Sequence, residues 1–255
     1  MQSRIQILAR SAQEVGEVNP GATTSWLSVR LWLPAILSTT AGAVDVIGFL
    51  ALGGLFAAHI TGNLAIVAAH YTTGRFGQVG PNLAVPVFII VLGVVVLLFG
   101  GIQSKGRSRR ALLVLHAALL SSCLAFGLSF GPFSNSDGPM AVLVGMLAVA
   151  AMAAQNAMAK LALVQAPSTA VMTTNTTQLI IDLGTLARGG EVSDDLGKVR
   201  QRARVTLLCV AGFVAGCVAG AILELRFGFG ALVLPVMLAV LAVVLGEQKG
   251  TYEQF

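Results

Sequence analysis

The sequence predicts an all-α, polytopic membrane protein: six transmembrane helices plus two short non-crossing helices, re-entrant or broken, arranged as a 3+3 inverted repeat. Three observations predict it. Apolar residues come in runs near the ~20 needed to cross a bilayer. Two shorter apolar segments open on polar residues instead, and the basic residues gather in a few short loops. Hydrophobic residues make up 56% of the 255 and charged residues 11%, whereas roughly a quarter of a soluble domain is charged. With a mean hydropathy of +0.84, an ordinary soluble domain is excluded.

Residues 1–30 read as a cytoplasmic tail, with Asn19-Pro20-Gly21 as a turn and Trp26, Arg30 and Trp32 as interfacial anchors. Met1–Arg10 lacks the apolar core of a signal peptide, so the first span is expected to insert uncleaved. The first repeat covers residues 31–131. Span 1 is expected at Leu31–Ala51, with Pro34 tolerated in its first turn. A break at Gly53-Gly54 and a short helix at residues 60–73 follow, the latter about 20 Å long and too short to cross comfortably. Span 2 is expected at Asn82–Ile102, then a basic loop Lys105–Arg110, then span 3 at Ala111–Phe130. The second repeat covers residues 140–246. It comprises span 4 at Met140–Val164, a short helix at 168–187, a charged loop Arg188–Arg204, span 5 at Val205–Leu225 and span 6 near Phe229–Gly246. Residues 247–255 close the chain as a tail.

Loop charge decides between topologies. With both short segments non-crossing and the N-terminus cytoplasmic, fourteen of the sixteen Lys and Arg lie inside, and only Arg75 and Arg226 outside. If both crossed, one basic loop would face outward in either orientation, against the preference of Lys and Arg for the cytoplasmic side. Three spans per half then invert the second half relative to the first, an architecture with sites near the midplane. A weak internal echo agrees: His59-Ile60-Thr61 lines up with Asn175-Thr176-Thr177, and Asp45 with Asn156.

The net charge of +5 sits beside membrane spans and does not point to nucleic acid. Cys123, Cys209 and Cys217 all fall in apolar spans and read as packed free thiols, with no metal set and no cofactor implied. Gly212, Gly216 and Gly220 make a flat face for close helix approach, either inside the bundle or in a homodimer.

The polar groups with chemical potential are few. A lone aspartate in a span costs about 2.5–3.5 kcal/mol on insertion scales unless partnered, so Asp45 reads as a proton or cation site, or as a polar clamp between helices. His59 precedes a helix start that Thr61 and Asn63 could cap, where the positive dipole end favours an anionic group and imidazole suits proton coupling. Gln155, Asn156, Thr173, Thr174, Asn175 and Thr177 could bind a polar solute or simply hold helices together. His116 reads as a packed polar residue, and Glu224 with Arg226 as an interfacial ion pair. No nucleophile elbow, phosphate loop or His-Glu-x-x-His motif is present in the sequence, so no enzyme is expected.

Two motifs carry a family resemblance. Gly42-Ala43-Val44-Asp45 followed by His59-Ile60-Thr61-Gly62-Asn63, and Gln155-Asn156 followed by Thr173–Gln178, resemble the YoaK-type bacterial membrane proteins, a family grouped under a domain of unknown function. The resemblance covers about Leu33–Gly246. In the second motif Asn175 stands where the family has histidine, and Gln178 where it has glycine. The resemblance implies a six-span protein of the bacterial inner membrane and leaves activity open. From the residues, the expected role is a small secondary transporter or permease for a small polar or anionic solute, proton-coupled through Asp45 and His59. The alternative is a non-transporting membrane scaffold or sensor whose polar cluster is structural.

Overall fold

The computed structural model describes residues 20–73, 78–102, 105–163, 167–188 and 193–246. The distal tails, Arg75 and Lys249 lie outside these, as do the side chains of Trp26 and Arg30. The described residues form helices α1 (Pro20–Ala51), α2 (Ile60–Thr73), α3 (Val79–Phe99), α4 (Lys105–Phe130), α5 (Pro139–Leu161), α6 (Met172–Ala187), α7 (Ser193–Phe227), a 3-10 turn (Gly228–Leu232) and α8 (Val233–Gly246). Five helical stretches are long and apolar enough to cross a membrane. The last, Leu196–Gly246, contains both α7 and α8 and is broken where Gly228 takes a φ of 54°, open to glycine without Cβ strain. The chain is a multi-pass membrane protein by this measure. Its exterior fits lipid: Ile89, Ile90, Leu97, Leu98, Val214, Val218 and Ile222 are all exposed.

Helix ends differ from expectation where charge was read as loop. The basic stretch Lys105–Arg110 forms the first turns of α4, and α7 starts at Ser193, inside the expected loop Arg188–Arg204. Lys and Arg are good helix formers, so the helices run on past the apolar segments. Pro20 opens α1 instead of sitting in a turn, since proline fits a first helical position. The short helix α2 occupies the expected residues, and α6 starts four residues later than expected.

Helices α1 and α5 form the centre. Their spans are 72% and 61% buried, against 11% for α3. Helix α1 packs on α7 and α8, α5 packs on α3 and α4, α4 meets α8, and the short helices lie on α3 (for α2) and α7 (for α6). The α1–α7 contact is made by backbone. A Cβ at Gly212 would sit 2.9 Å from the Ala35 carbonyl oxygen, one at Gly220 3.0 Å from Ala43, and one at Gly216 against the Thr39 carbonyl. The glycine face is therefore covered within the chain, and a homodimer through Gly212, Gly216 and Gly220 has no free surface there.

The ends of the bundle are tied by specific bonds. At one end the Asp137 carboxylate accepts the Val79 N–H at 2.7 Å, satisfying a donor at the start of α3. There too the Phe229 ring fills the space above Gly127 and Gly131, fixing the turn between α7 and α8. At the other end buried Arg109 donates to the Gly246 carbonyl at 3.0 Å, where a cation suits the last turn of α8.

Candidate functional site

Helix α1 ends at Ala51 and the chain turns back on it. Gly53 and Gly54 hold φ of 66° and 83°, which a side chain would resist. The returning linker passes over Gly48, where a Cβ would lie 2.9 Å from the Leu55 carbonyl oxygen. It then reaches Asp45: the Ala58 N–H donates to Oδ1 at 2.6 Å and His59 Nδ1 pairs with Oδ2. Asp45 lies six residues before the end of α1, so the linker dips about 9 Å back along the helix at ~1.5 Å per residue. The carboxylate is 2% exposed, and both its oxygens are engaged.

His59 stands between that carboxylate and the outside. Its side chain keeps 35% exposure, and its ring lies edge-on to Phe213 of α7 at 5.3 Å and to Phe56 at 6.3 Å. Bonding to Asp45 raises the imidazole above its ordinary value near 6.5; partial burial opposes this and the negative charge adds to it.

Asn63, fully buried, does not cap α2. Its Oδ1 accepts the Phe56 N–H at 3.0 Å and its Nδ2 donates to the Phe56 carbonyl at 2.6 Å, pinning the linker to the helix it feeds. Thr61 is exposed in the first turn.

The second half repeats the arrangement with neutral groups. Gln155, fully buried and six residues before the end of α5, donates to the Thr169 hydroxyl and the Leu37 carbonyl, both at 3.0 Å. Buried Asn175 donates to the Ser168 carbonyl, seven residues back, as Asn63 does to Phe56. Asn175 is thus the counterpart of Asn63, four residues away from the His59 alignment expected from the motifs. Ser168 in turn accepts the Val171 N–H at 3.0 Å ahead of α6.

Other expected site residues are elsewhere. Asn156 is half-buried and donates to Met152 of its own helix at 3.0 Å. Thr173, Thr174 and Thr177 are exposed on α6, and Thr177 bonds back to Thr173 at 3.0 Å. On the same helix Asp182, 0% exposed, takes Arg202 of α7 and Gln178 as partners; the Arg202 bond holds its carboxyl below the usual range. The two clusters are not one site. Gln155 meets α1 at Leu37, eight residues or about 12 Å along the helix from Asp45. Thr169 and Phe213 were not singled out in the sequence; only the equal fourteen-residue spacing of Asp45–His59 and Gln155–Thr169 could have drawn attention to the former. Among the described residues no group of three or more His, Cys, Asp or Glu could hold a metal ion.

A family model described as a protein of unknown function (DUF1275) matches residues 33–245, the span over which the YoaK-type resemblance was read. No curated protein and no solved structure matches the chain.

Proposed function

The chain belongs to the DUF1275 family of proteins of unknown function, and we propose that it is a small secondary transporter or permease, moving a small polar or anionic solute and coupled to protons through Asp45 and His59. The observation that carries this reading is the linker that returns along α1 and is fastened to the buried Asp45 carboxylate by His59 and the Ala58 N–H. A proton leaving His59 turns a charge-assisted bond into an ordinary Nδ1–H bond to the carboxylate, so the charge state and the hold on the linker to α2 are linked, as a bistable coupling element requires.

The repeat architecture rests on pairing. Exchanging the halves turns the α1–α7 contact into α5–α3, α4–α5 into α8–α1, and α2–α3 into α6–α7. Counting α7 and α8 as separate crossings around Gly228 makes six spans, three per half, with the second half inverted. On this reading the loop charge favours cytoplasmic termini, and the YoaK-type resemblance favours the inner membrane of a bacterial cell. Solute would meet the N-terminus of α2 from outside and that of α6 from inside, the half-helix ends that transporters aim at their substrates.

One observation favours a non-transporting scaffold or sensor instead. Both Asp45 oxygens are filled from within the chain, as a purely structural clamp would be. Reconstitution separates the two. With vesicles loaded with a pH dye and challenged with a metabolite library, transport predicts a solute-dependent pH change that Asp45→Asn abolishes. No response to any solute, or one unchanged in Asp45→Asn, ends the transport reading.

A further inference from the structure

The His59 ring touches two phenylalanines that come from different parts of the chain. Phe56 precedes it in the same linker, with ring centroids 6.3 Å apart. Phe213 stands on α7, in the second half of the chain, with centroids 5.3 Å apart and the ring planes crossing at 65°. Edge-on ring pairs at such separations attract beyond the area they bury.

Each phenylalanine is itself fixed, and by separate means. The Phe56 backbone is pinned by both ends of the Asn63 amide. Its ring packs against Phe49 at 5.1 Å and lies over Gly62, where a Cβ would come within 2.9 Å of it. Phe213 is half-buried and packs against the main apolar core. Its backbone rests on α1 at Gly42, where a Cβ would run into the Phe213 carbonyl oxygen and sit 3.1 Å from the Cys217 sulfur. Gly42 lies three residues before Asp45, on the same face of α1. The glycine that admits α7 so closely therefore also brings Phe213 to the partner of the carboxylate.

An imidazole bonded at one nitrogen can still swing about its side-chain torsions. His59 has room to do so, since its side chain is 35% exposed while that of Asp45 is 3% exposed. We propose that Phe213 is a positioning residue for His59: its ring, set in place by the close approach of α7 to Gly42, keeps Nδ1 on the Asp45 carboxylate. A helix of the second half thus holds the proton-bearing group of the first, and a shift of α7 along α1 reaches the Asp45–His59 bond through this ring. The ionisable groups around the pair are Asp45 itself on α1 and the Cys217 thiol, one turn beyond Phe213 on α7 and within electrostatic reach of Asp45. The proposal deepens the coupling reading of Asp45 and His59 and rests on it for its consequence. Its tests read the His59 proton in resting protein, so they fail separately from any flux measurement.

Thermal midpoints of the full chain in lipid nanodiscs, taken from neutral to alkaline pH, test it. The stability that the charged pair adds is lost as pH rises through the raised folded value of His59. In Phe213→Leu the Asp45 bond loosens, so the fall in midpoint across this range should shrink toward that of His59→Gln. Phe213→Tyr keeps the ring and should keep the wild-type slope. In the His59→Gln background Phe213→Leu should leave the slope unchanged. A residue that only fills space lowers the midpoint equally at every pH. A wild-type slope in Phe213→Leu therefore overturns the proposal, as does a slope lost equally in Phe213→Tyr. A second measurement does not depend on unfolding. In protein labelled with 15N-histidine, the His59 titration midpoint should lie above the ordinary value near 6.5 in the wild type and move down toward it in Phe213→Leu. Leucine also admits water, which by itself would raise the value. An unchanged or higher midpoint in Phe213→Leu means that the ring does not hold the bond, and overturns the proposal.

Discussion

Asp45 and Gln155 stand in equivalent places: each lies six residues before the end of its helix and holds the linker residue fourteen positions further on, His59 and Thr169 respectively. The geometry is shared and the chemistry is not. One half closes its returning linker with a charge pair, the other with neutral hydrogen bonds that pH leaves alone. Proton dependence of linker closure therefore belongs to the first half.

Removing the carboxylate should loosen the first linker. Asp45→Ala strips the Ala58 N–H and His59 of their acceptor, and bonds to charged groups contribute about 1.5–3 kcal/mol each. The expected loss is ~3 kcal/mol in a denaturation midpoint series, with Asp45→Asn milder because it keeps an acceptor for Ala58. Equal midpoints for wild type and Asp45→Ala would contradict the clamp.

Stability should depend on pH through His59. Its value is raised in the folded chain, so the pair's contribution is complete below the ordinary histidine value near 6.5 and is lost as pH rises through the raised folded value. Thermal midpoints should fall from neutral toward alkaline pH in the wild type. In His59→Gln that slope should flatten.

The glycine face should be intolerant in a position-specific way. In Gly216→Ala the new Cβ meets the Thr39 carbonyl of α1, while Gly93→Ala enters open space. Overpacking costs about 1–3 kcal/mol, and alanine in an unhindered helix gains up to ~1 kcal/mol over glycine. Midpoints should therefore drop for Gly216→Ala and hold or rise for Gly93→Ala.

Asn63 and Asn175 should differ in degree. Asn63→Ala removes two bonds to Phe56, whereas Asn175→Ala removes one to the Ser168 carbonyl and a weak one to the Met172 sulfur at 3.9 Å. At about 1 kcal/mol per bond, limited proteolysis should open the first linker more readily in Asn63→Ala than the second in Asn175→Ala.

Much of this was legible from the sequence, and what was not has physical reasons. Asp45 and His59 stood out because charge is expensive in an apolar run, and α2 had the length and polar head of a non-crossing helix. That Asp45 and His59 bond each other needed the path of the linker, which Gly48, Gly53 and Gly54 permit but do not announce. Within Thr173–Gln178 the residue types are nearly interchangeable. Asn175 alone is buried, because α6 turns only a narrow stripe, Asn175–Leu179–Asp182, toward the bundle. Thr169 looked like an ordinary linker residue. The glycines of α7 allowed two uses, and only the position of α1 decided between them.

On the transport reading the two linkers return into the membrane from opposite faces. It is tested most directly by single cysteines at positions 61 and 177 in a chain whose own three cysteines are replaced, using a membrane-impermeant maleimide on oriented vesicles. Position 61 should react from the outer side and position 177 from the inner. Reaction of both from one side, or of neither from any side, would contradict it.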